Sequence, residues 1–241
     1  MKRTFFAALL LLFPLCLGAQ QSEDYKMYAA NNGASMLLLR GRQGMEFPLP
    51  HNGTHFWYTP QFRSGTLYYN SKLYENVLLN IDAFNQELLV RDPNGITNIL
   101  LSRNYVKWFE IEGRKYVNLQ AMGYEDAPQG YFQLMYDGKS KLFFRIDKAL
   151  ERDVDGRLWE SAGYQGNLKP GVFDIFVERK SYYVMTGNSD ALIKIKNKNA
   201  LLKVFKKYSK DIRKHLSSID RYGSMSFETL AVEVLEYMEE K

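Results

Sequence analysis

The sequence holds one cysteine, three histidines and seven prolines among 241 residues. The cysteine is Cys16, close to the start. No disulfide can form within the chain, so a hydrophobic core has to hold the fold. Three histidines and no second thiol leave few groups with the nucleophilicity or pKa that acyl transfer and transition-metal binding use. With 46% hydrophobic and 15% aromatic residues, the composition excludes a disordered or low-complexity chain. Beyond Leu15, no apolar run approaches the ~18 uncharged residues of a membrane helix.

What is present begins with a leader pattern. Lys2 and Arg3 precede the uncharged run Phe5 to Leu15, and Leu17-Gly18-Ala19 ends it with small residues, as in a secretory signal. Cleavage after Ala19 leaves 222 residues and lowers the net charge from +5 to +3 by removing Lys2 and Arg3. The pI of 9.0 is then in part a property of the leader, and nucleic acid is not an expected partner. Leu15 before Cys16 is not the small residue that a lipidated cysteine prefers, so a lipid anchor is not expected. The charged amphipathic end, Glu239-Glu240-Lys241, speaks against an outer-membrane barrel closed by a strand.

From Thr66 to about Lys196 the chain reads as strands, with turns at Asp92-Pro93-Asn94-Gly95, Glu112-Gly113, Asp137-Gly138, Asp155-Gly156 and Gly187-Asn188. The strands expected are Lys72–Asp82, Glu87–Arg91, Val106–Glu112, Lys115–Gln120, Val172–Glu178, Tyr182–Met185 and Leu192–Lys196, with a hairpin at Asp137-Gly138. Short connections make them an antiparallel meander. Residues 20–64 read as an irregular arm with strands at Met36–Leu39 and His55–Tyr58. In the tail, Leu201, Phe205, Tyr208, Ile212 and Leu216 share one helical face after Asn199 as cap, and a second helix starts near Ser226. The expected organisation is a signal at 1–19, the arm at 20–64, an antiparallel β body at 65–196 and a C-terminal helix hairpin at 197–241 packed on it. The fold class is α+β, mostly antiparallel β, as a curved sheet, a sandwich or a partly open barrel.

The run Tyr69-Asn70-Ser71-Lys72-Leu73-Tyr74-Glu75-Asn76-Val77-Leu78-Leu79-Asn80-Ile81-Asp82, then Gln86-Glu87-Leu88-Leu89-Val90 and Gly130-Tyr131-Phe132-Gln133-Leu134-Met135-Tyr136-Asp137-Gly138, ahead of a Lys-rich helix, resembles a group of exported proteins of Bacteroidota-type Gram-negative bacteria. That group has no established activity. The resemblance covers about Gly65 to Lys241 and implies an envelope location and a β-then-helix order. It carries over no site residue.

Several patterns invite chemistry. Glu151, Asp153, Asp155, Gly156 and Leu158 match the front half of a calcium loop, but the position of the bidentate Glu holds Ala162. Calcium is the one cofactor with a motif, and no cofactor is expected. His51 and His55 lie four apart in a Pro- and Gly-containing stretch, which reads as a loop rather than a metal-binding helix. Gly187-Asn188-Ser189-Asp190-Ala191 misses the nucleophile elbow by one residue and precedes a strand pattern, not a helix, with His215 as the sole downstream base. Asp82, Glu110, Glu112, Asp174 and Glu178 are strand carboxylates that a glycosidase would have to converge.

Two features point to binding instead. Aromatic pairs on strands send their rings to opposite faces, and Tyr58, Tyr69, Trp108, Tyr131 and Tyr183 are the candidates for a ligand or partner surface. Lys203, Lys206, Lys207, Lys210 and Lys214 form a basic helix face suited to a membrane surface or an acidic partner, beside an acidic final helix that neutralises part of it. The reading is an exported, non-enzymatic binding or assembly module at the periplasm or outer membrane. Its expected partner is an envelope protein or outer-membrane complex, or a lipid surface. A carrier of an apolar ligand in a helix-closed β cavity is the alternative, and a hydrolase comes third.

Overall fold

A computed structural model describes residues 38, 41–44, 51–92, 95, 97–153, 173–187, 189–220 and 223–241. Among the described residues twelve strands form one sheet: β1 Arg42–Gln43, β2 His51–Asn52, β3 Arg63–Tyr69, β4 Lys72–Asp82, β5 Glu87–Arg91, β6 Asn98–Leu100, β7 Val106–Ile111, β8 Arg114–Val117, β9 Phe132–Asp137, β10 Lys141–Asp153, β11 Phe173–Met185 and β12 Ile193–Ile195. Eleven of them follow the order β1-β6-β5-β4-β3-β7-β8-β9-β10-β11-β12, and β2 joins the side of β11 as a parallel partner. The fold is α+β with a curved, open, mostly antiparallel sheet, as the alternation and short turns imply. Three helices end the chain: α1 Lys198–Val204, α2 Ser209–Ile219 and α3 Phe227–Glu239.

The hairpin at Asp137-Gly138 forms, and β10 continues from it for 13 residues alongside β11. The separate strands expected at Val172–Glu178 and Tyr182–Met185 are one strand. The polar stretch Glu178 to Ser181 stays in register with Arg145 to Lys148, and Lys180 pairs with Glu178 at 3.4 Å. A second correction concerns the arm. Residues His55–Tyr58 form no strand, yet Trp57 N–H donates to Ile81 O at 2.9 Å and Trp57 is 1% exposed, so this segment belongs to the body core. The expected strand at Met36–Leu39 falls outside the described residues except for buried Leu38.

Three clusters make the core. The largest includes Trp57, Leu67, Leu79, Ile81, Leu88, Phe109, Tyr116, Tyr131, Phe144 and Ile146. A second, with Leu142, Val184 and Ile195 from the sheet, is closed by Leu201, Leu202, Ile212, Leu216, Leu230, Val234 and Leu235 from the helices. A third holds Val117, Leu119, Phe132, Phe143, Tyr183 and Met185. The register pairs Trp108 with Val117 and Val117 with Phe132, but Phe109 with Tyr116, so neighbouring aromatics serve different clusters on opposite faces.

The tail differs from the expected two-helix hairpin. Asn197, not Asn199, caps α1 by accepting the Ala200 N–H at 2.9 Å. Phe205 then leaves helical geometry (φ −103°, ψ 45°), and the 3-10 turn Lys206–Tyr208 separates α1 from α2.

Candidate functional site

The β7–β8 hairpin turns at Glu112 and Gly113, both at positive φ (51° and 73°). This tight turn sets Glu112 and Arg114 side by side at its tip. Register with β3 brings Gly65 opposite Ile111, so Arg63 reaches the same tip. Arg63 Nε lies 3.2 Å from Glu112 and Arg114 Nη1 lies 3.9 Å from it, so one carboxylate serves two guanidinium groups. Arg114 also sits over the Tyr58 ring, 4.9 Å from its centre, and the Tyr58 hydroxyl donates to Gln133 Oε1 at 2.9 Å.

Between this tip and the segment from Trp57 to Gln61 lies a cleft of about 310 Å3. Its inner wall is Trp57, Leu79, Ile81 and Tyr116, and its rim is Tyr58, Arg63, Glu112 and Arg114. Trp57 packs edge-on against Tyr116 at 5.7 Å, and its buried Nε1–H has no hydrogen-bond partner among the described residues. Burial pushes the Tyr116 hydroxyl well above the usual tyrosine range, helped by Tyr58 and opposed by Arg114. Tyr116 therefore stays a neutral donor and acceptor at any physiological pH. Asn80 fixes the cleft floor by donating to Thr59 O at 2.9 Å and Gln61 O at 3.3 Å. An aromatic wall beside two guanidinium groups that share one carboxylate suits an apolar group carrying a carboxylate or carbonyl oxygen.

A second cleft of about 640 Å3 lies at the other end of β3, lined by Leu38, Arg42, Tyr69, Glu87, Leu101 and Arg103. Burial, reinforced by Asp82, raises the Glu87 carboxyl, against Arg103 and Arg42. Burial also raises the Tyr69 hydroxyl. Arg103 is spent on structure: its donors reach Gln86 O at 3.0 Å, Asn85 O at 3.0 Å and Gln129 Oε1 at 3.2 Å.

Of the five aromatic candidates, Tyr58 and Tyr69 line these clefts. Tyr131 is corrected: it is 0% exposed, inside the largest cluster, and its hydroxyl has no hydrogen-bond partner among the described residues. Tyr183 is corrected as well, buried between Phe132 and Lys194, because its face is the one that the third cluster fills. Trp108 is half-buried, stacked on Tyr68 at 6.0 Å under Lys115. Trp57, Arg63 and Arg114 were not singled out by sequence. Their signal is the Glu112-Gly113 turn, and only the strand register links it to Arg63 and Trp57.

Glu151 stands in β10 opposite Ile175 and pairs with Arg179 at 2.6 Å, and Asp153 stands opposite Phe173 in the same ladder. Both lie on a strand rather than a calcium-type loop, and Asp155 lies outside the described residues. Among the described residues no group of three His, Cys, Asp or Glu could hold a metal ion. His55 packs on Phe56 at 4.0 Å. Ser189 Oγ accepts the Ala191 N–H at 3.1 Å, while His215 is engaged by Glu233 at 2.8 Å. Asp82 is buried and caps its own turn by accepting the Phe84 and Asn85 N–H groups, each at 2.9 Å. Lys203, Lys206, Lys207, Lys210 and Lys214 are all exposed. Among the described residues none pairs with a carboxylate of α3, so the acidic helix does not neutralise them by contact.

No protein family matches the sequence, and no curated protein or solved structure matches it either.

Proposed function

We propose that the protein is an exported, non-catalytic binding module of the cell envelope, at the periplasm or the outer membrane, that engages an envelope protein or outer-membrane complex through the cleft at the β7–β8 tip. The observation that carries this reading is the pairing of an aromatic wall with Arg63 and Arg114, two guanidinium groups held at one rim by a single carboxylate. The leader pattern of residues 1–19 supports export. Side chains such as Leu67, Leu79, Ile81, Phe109 and Tyr131 fill the space on the inner face of the sheet, which favours surface docking over carriage of an apolar ligand.

The test is capture from native envelope fractions by the wild type and by a Tyr58→Ala/Arg114→Ala variant, both positions being exposed. A partner held by the wild type and lost by the variant is the expected result. Equal recovery by both proteins, or turnover of a hydrolase substrate by the isolated chain, would overturn the reading. Mass measurement of the exported chain is expected to give an N-terminus at Gln20.

A further inference from the structure

The break between α1 and α2 builds a further site, independent of the two clefts above. Because Phe205 leaves helical geometry and a 3-10 turn follows, Lys206 and Lys207 fall together on one rim while Val204, Phe205 and Tyr208 remain in the wall. The turn between β9 and β10 brings Lys139 and the buried Ser140, the end of β11 brings Thr186, and the end of α3 brings Met238 and Lys241. The resulting pocket is about 370 Å3, within the range of about 300–1,000 Å3 typical of ligand sites.

Its charge is one-sided. Among the described residues none of the four lysines forms an ion pair. Lys139 Nζ donates to the Glu239 backbone carbonyl at 3.2 Å, and Lys207 and Lys241 each lie 5.2 Å from the centre of a tyrosine ring, Tyr208 and Tyr237. These contacts position the ammonium groups without cancelling them. The nearby carboxylate of Glu239 accepts the Lys139 backbone N–H.

A basic helix ordinarily meets a bilayer by burying its apolar face. Here that route is closed, because Ile212 and Leu216 of α2 are packed against α3. The lysine face is free, and the apolar surface that lies among its cations is the pocket wall of Val204, Phe205 and Met238. We propose that this pocket binds a phosphate-bearing amphiphile, the four ammonium groups and the Ser140 and Thr186 hydroxyls taking the phosphate and the apolar wall taking the start of the acyl chain. An acidic peptide or another polyanion would use the cations and leave that wall empty.

The test uses the mature chain and titrates dihexanoyl phosphatidic acid below its micelle concentration, with glycerol 3-phosphate as the chainless probe. Vesicle flotation then compares phosphatidylcholine alone with phosphatidylcholine doped with phosphatidic acid. Expected are tighter binding of the acylated probe than of glycerol 3-phosphate, flotation only with the doped vesicles, and binding at least roughly tenfold weaker in Lys206→Glu/Lys207→Glu. The pair Lys203→Glu/Lys214→Glu, which makes the same charge change outside the pocket, is expected to keep binding within about twofold of wild type. Equal loss in both pairs would reduce the site to diffuse charge and overturn the proposal. So would equal affinity for the two probes, no binding, or tighter binding of a polyglutamate peptide.

Discussion

Among the described residues, Trp57 Nε1 and the Tyr131 hydroxyl are buried without a hydrogen-bond partner. An unbonded buried hydroxyl costs desolvation and returns nothing. Tyr131→Phe is therefore expected to be neutral or to stabilise by up to about 1 kcal/mol, read from the urea midpoint. A loss of more than about 1 kcal/mol would mean that the hydroxyl is bonded, through a buried water for example. The neighbouring Gln86 is the opposite case. Its Nε2 donates to Ala83 O at 2.9 Å and Ile146 O at 2.8 Å, and its Oε1 accepts the Tyr131 N–H at 3.4 Å. Gly130 sits at φ 112°, and a Cβ there would lie 2.7 Å from Gln86 Cβ, so the chain crosses Gln86 only as glycine. Gln86→Leu keeps the volume but removes all three bonds, although Ala83 O keeps another partner, the Lys148 N–H at 3.1 Å; it is expected to cost about 2–4 kcal/mol. A cost as small as that of an exposed Gln→Leu change would sink this account.

At the scale of elements, the first turn of α3 is tied to the sheet by a polar contact within an apolar seam: the Tyr182 hydroxyl donates to Glu228, while Phe227 meets the Tyr182 ring edge-on at 5.0 Å. That hydrogen bond holds the Glu228 carboxyl below its ordinary range, with Ser226 and Lys180 adding to the effect against partial burial. A depressed folded pKa gives stability that is present above the unfolded value and lost as pH falls through the folded one. The stability difference between wild type and Glu228→Gln should therefore shrink on acidification from about pH 5 to about pH 3. Parallel urea-midpoint profiles for the two proteins would refute it. The strands around this seam were legible because period-2 alternation and Asp-Gly or Glu-Gly turns are local. The break at Phe205 was not, since the spacing of Leu201, Phe205, Tyr208, Ile212 and Leu216 fits one continuous helix as well as two. The clefts were legible only in part. Tyr58 and Tyr69 stood out as aromatics, but which of two adjacent rings faces the core depends on register, and the same ambiguity misplaced Tyr131 and Tyr183. Arg63, Leu79 and Glu112 meet only through the pairing of β3 with β4 and β7.

For the whole molecule, the question is whether sheet and helices form one cooperative unit. Tyr182 packs against both the largest cluster and the helix-closed cluster, and it touches Phe144 at 5.1 Å on one side. Strands β10 and β11 therefore run through both cores, and neither core can loosen without exposing the other. Full burial of each Leu, Val or Ile side chain is worth about 1.5–3 kcal/mol, so uncovering Leu142, Val184 and Ile195 together removes several kcal/mol from a total that is about 5–15 kcal/mol in ordinary domains. A chain truncated after Lys196 is accordingly expected to bind hydrophobic dye and to lose its sharp urea transition. The intact chain should unfold in a single step, with far-UV circular dichroism and tryptophan fluorescence coinciding. A truncated chain that melts as sharply as the intact one would mean that the helices are an appendage, and would leave the lysine pocket between them and the sheet without a fixed geometry.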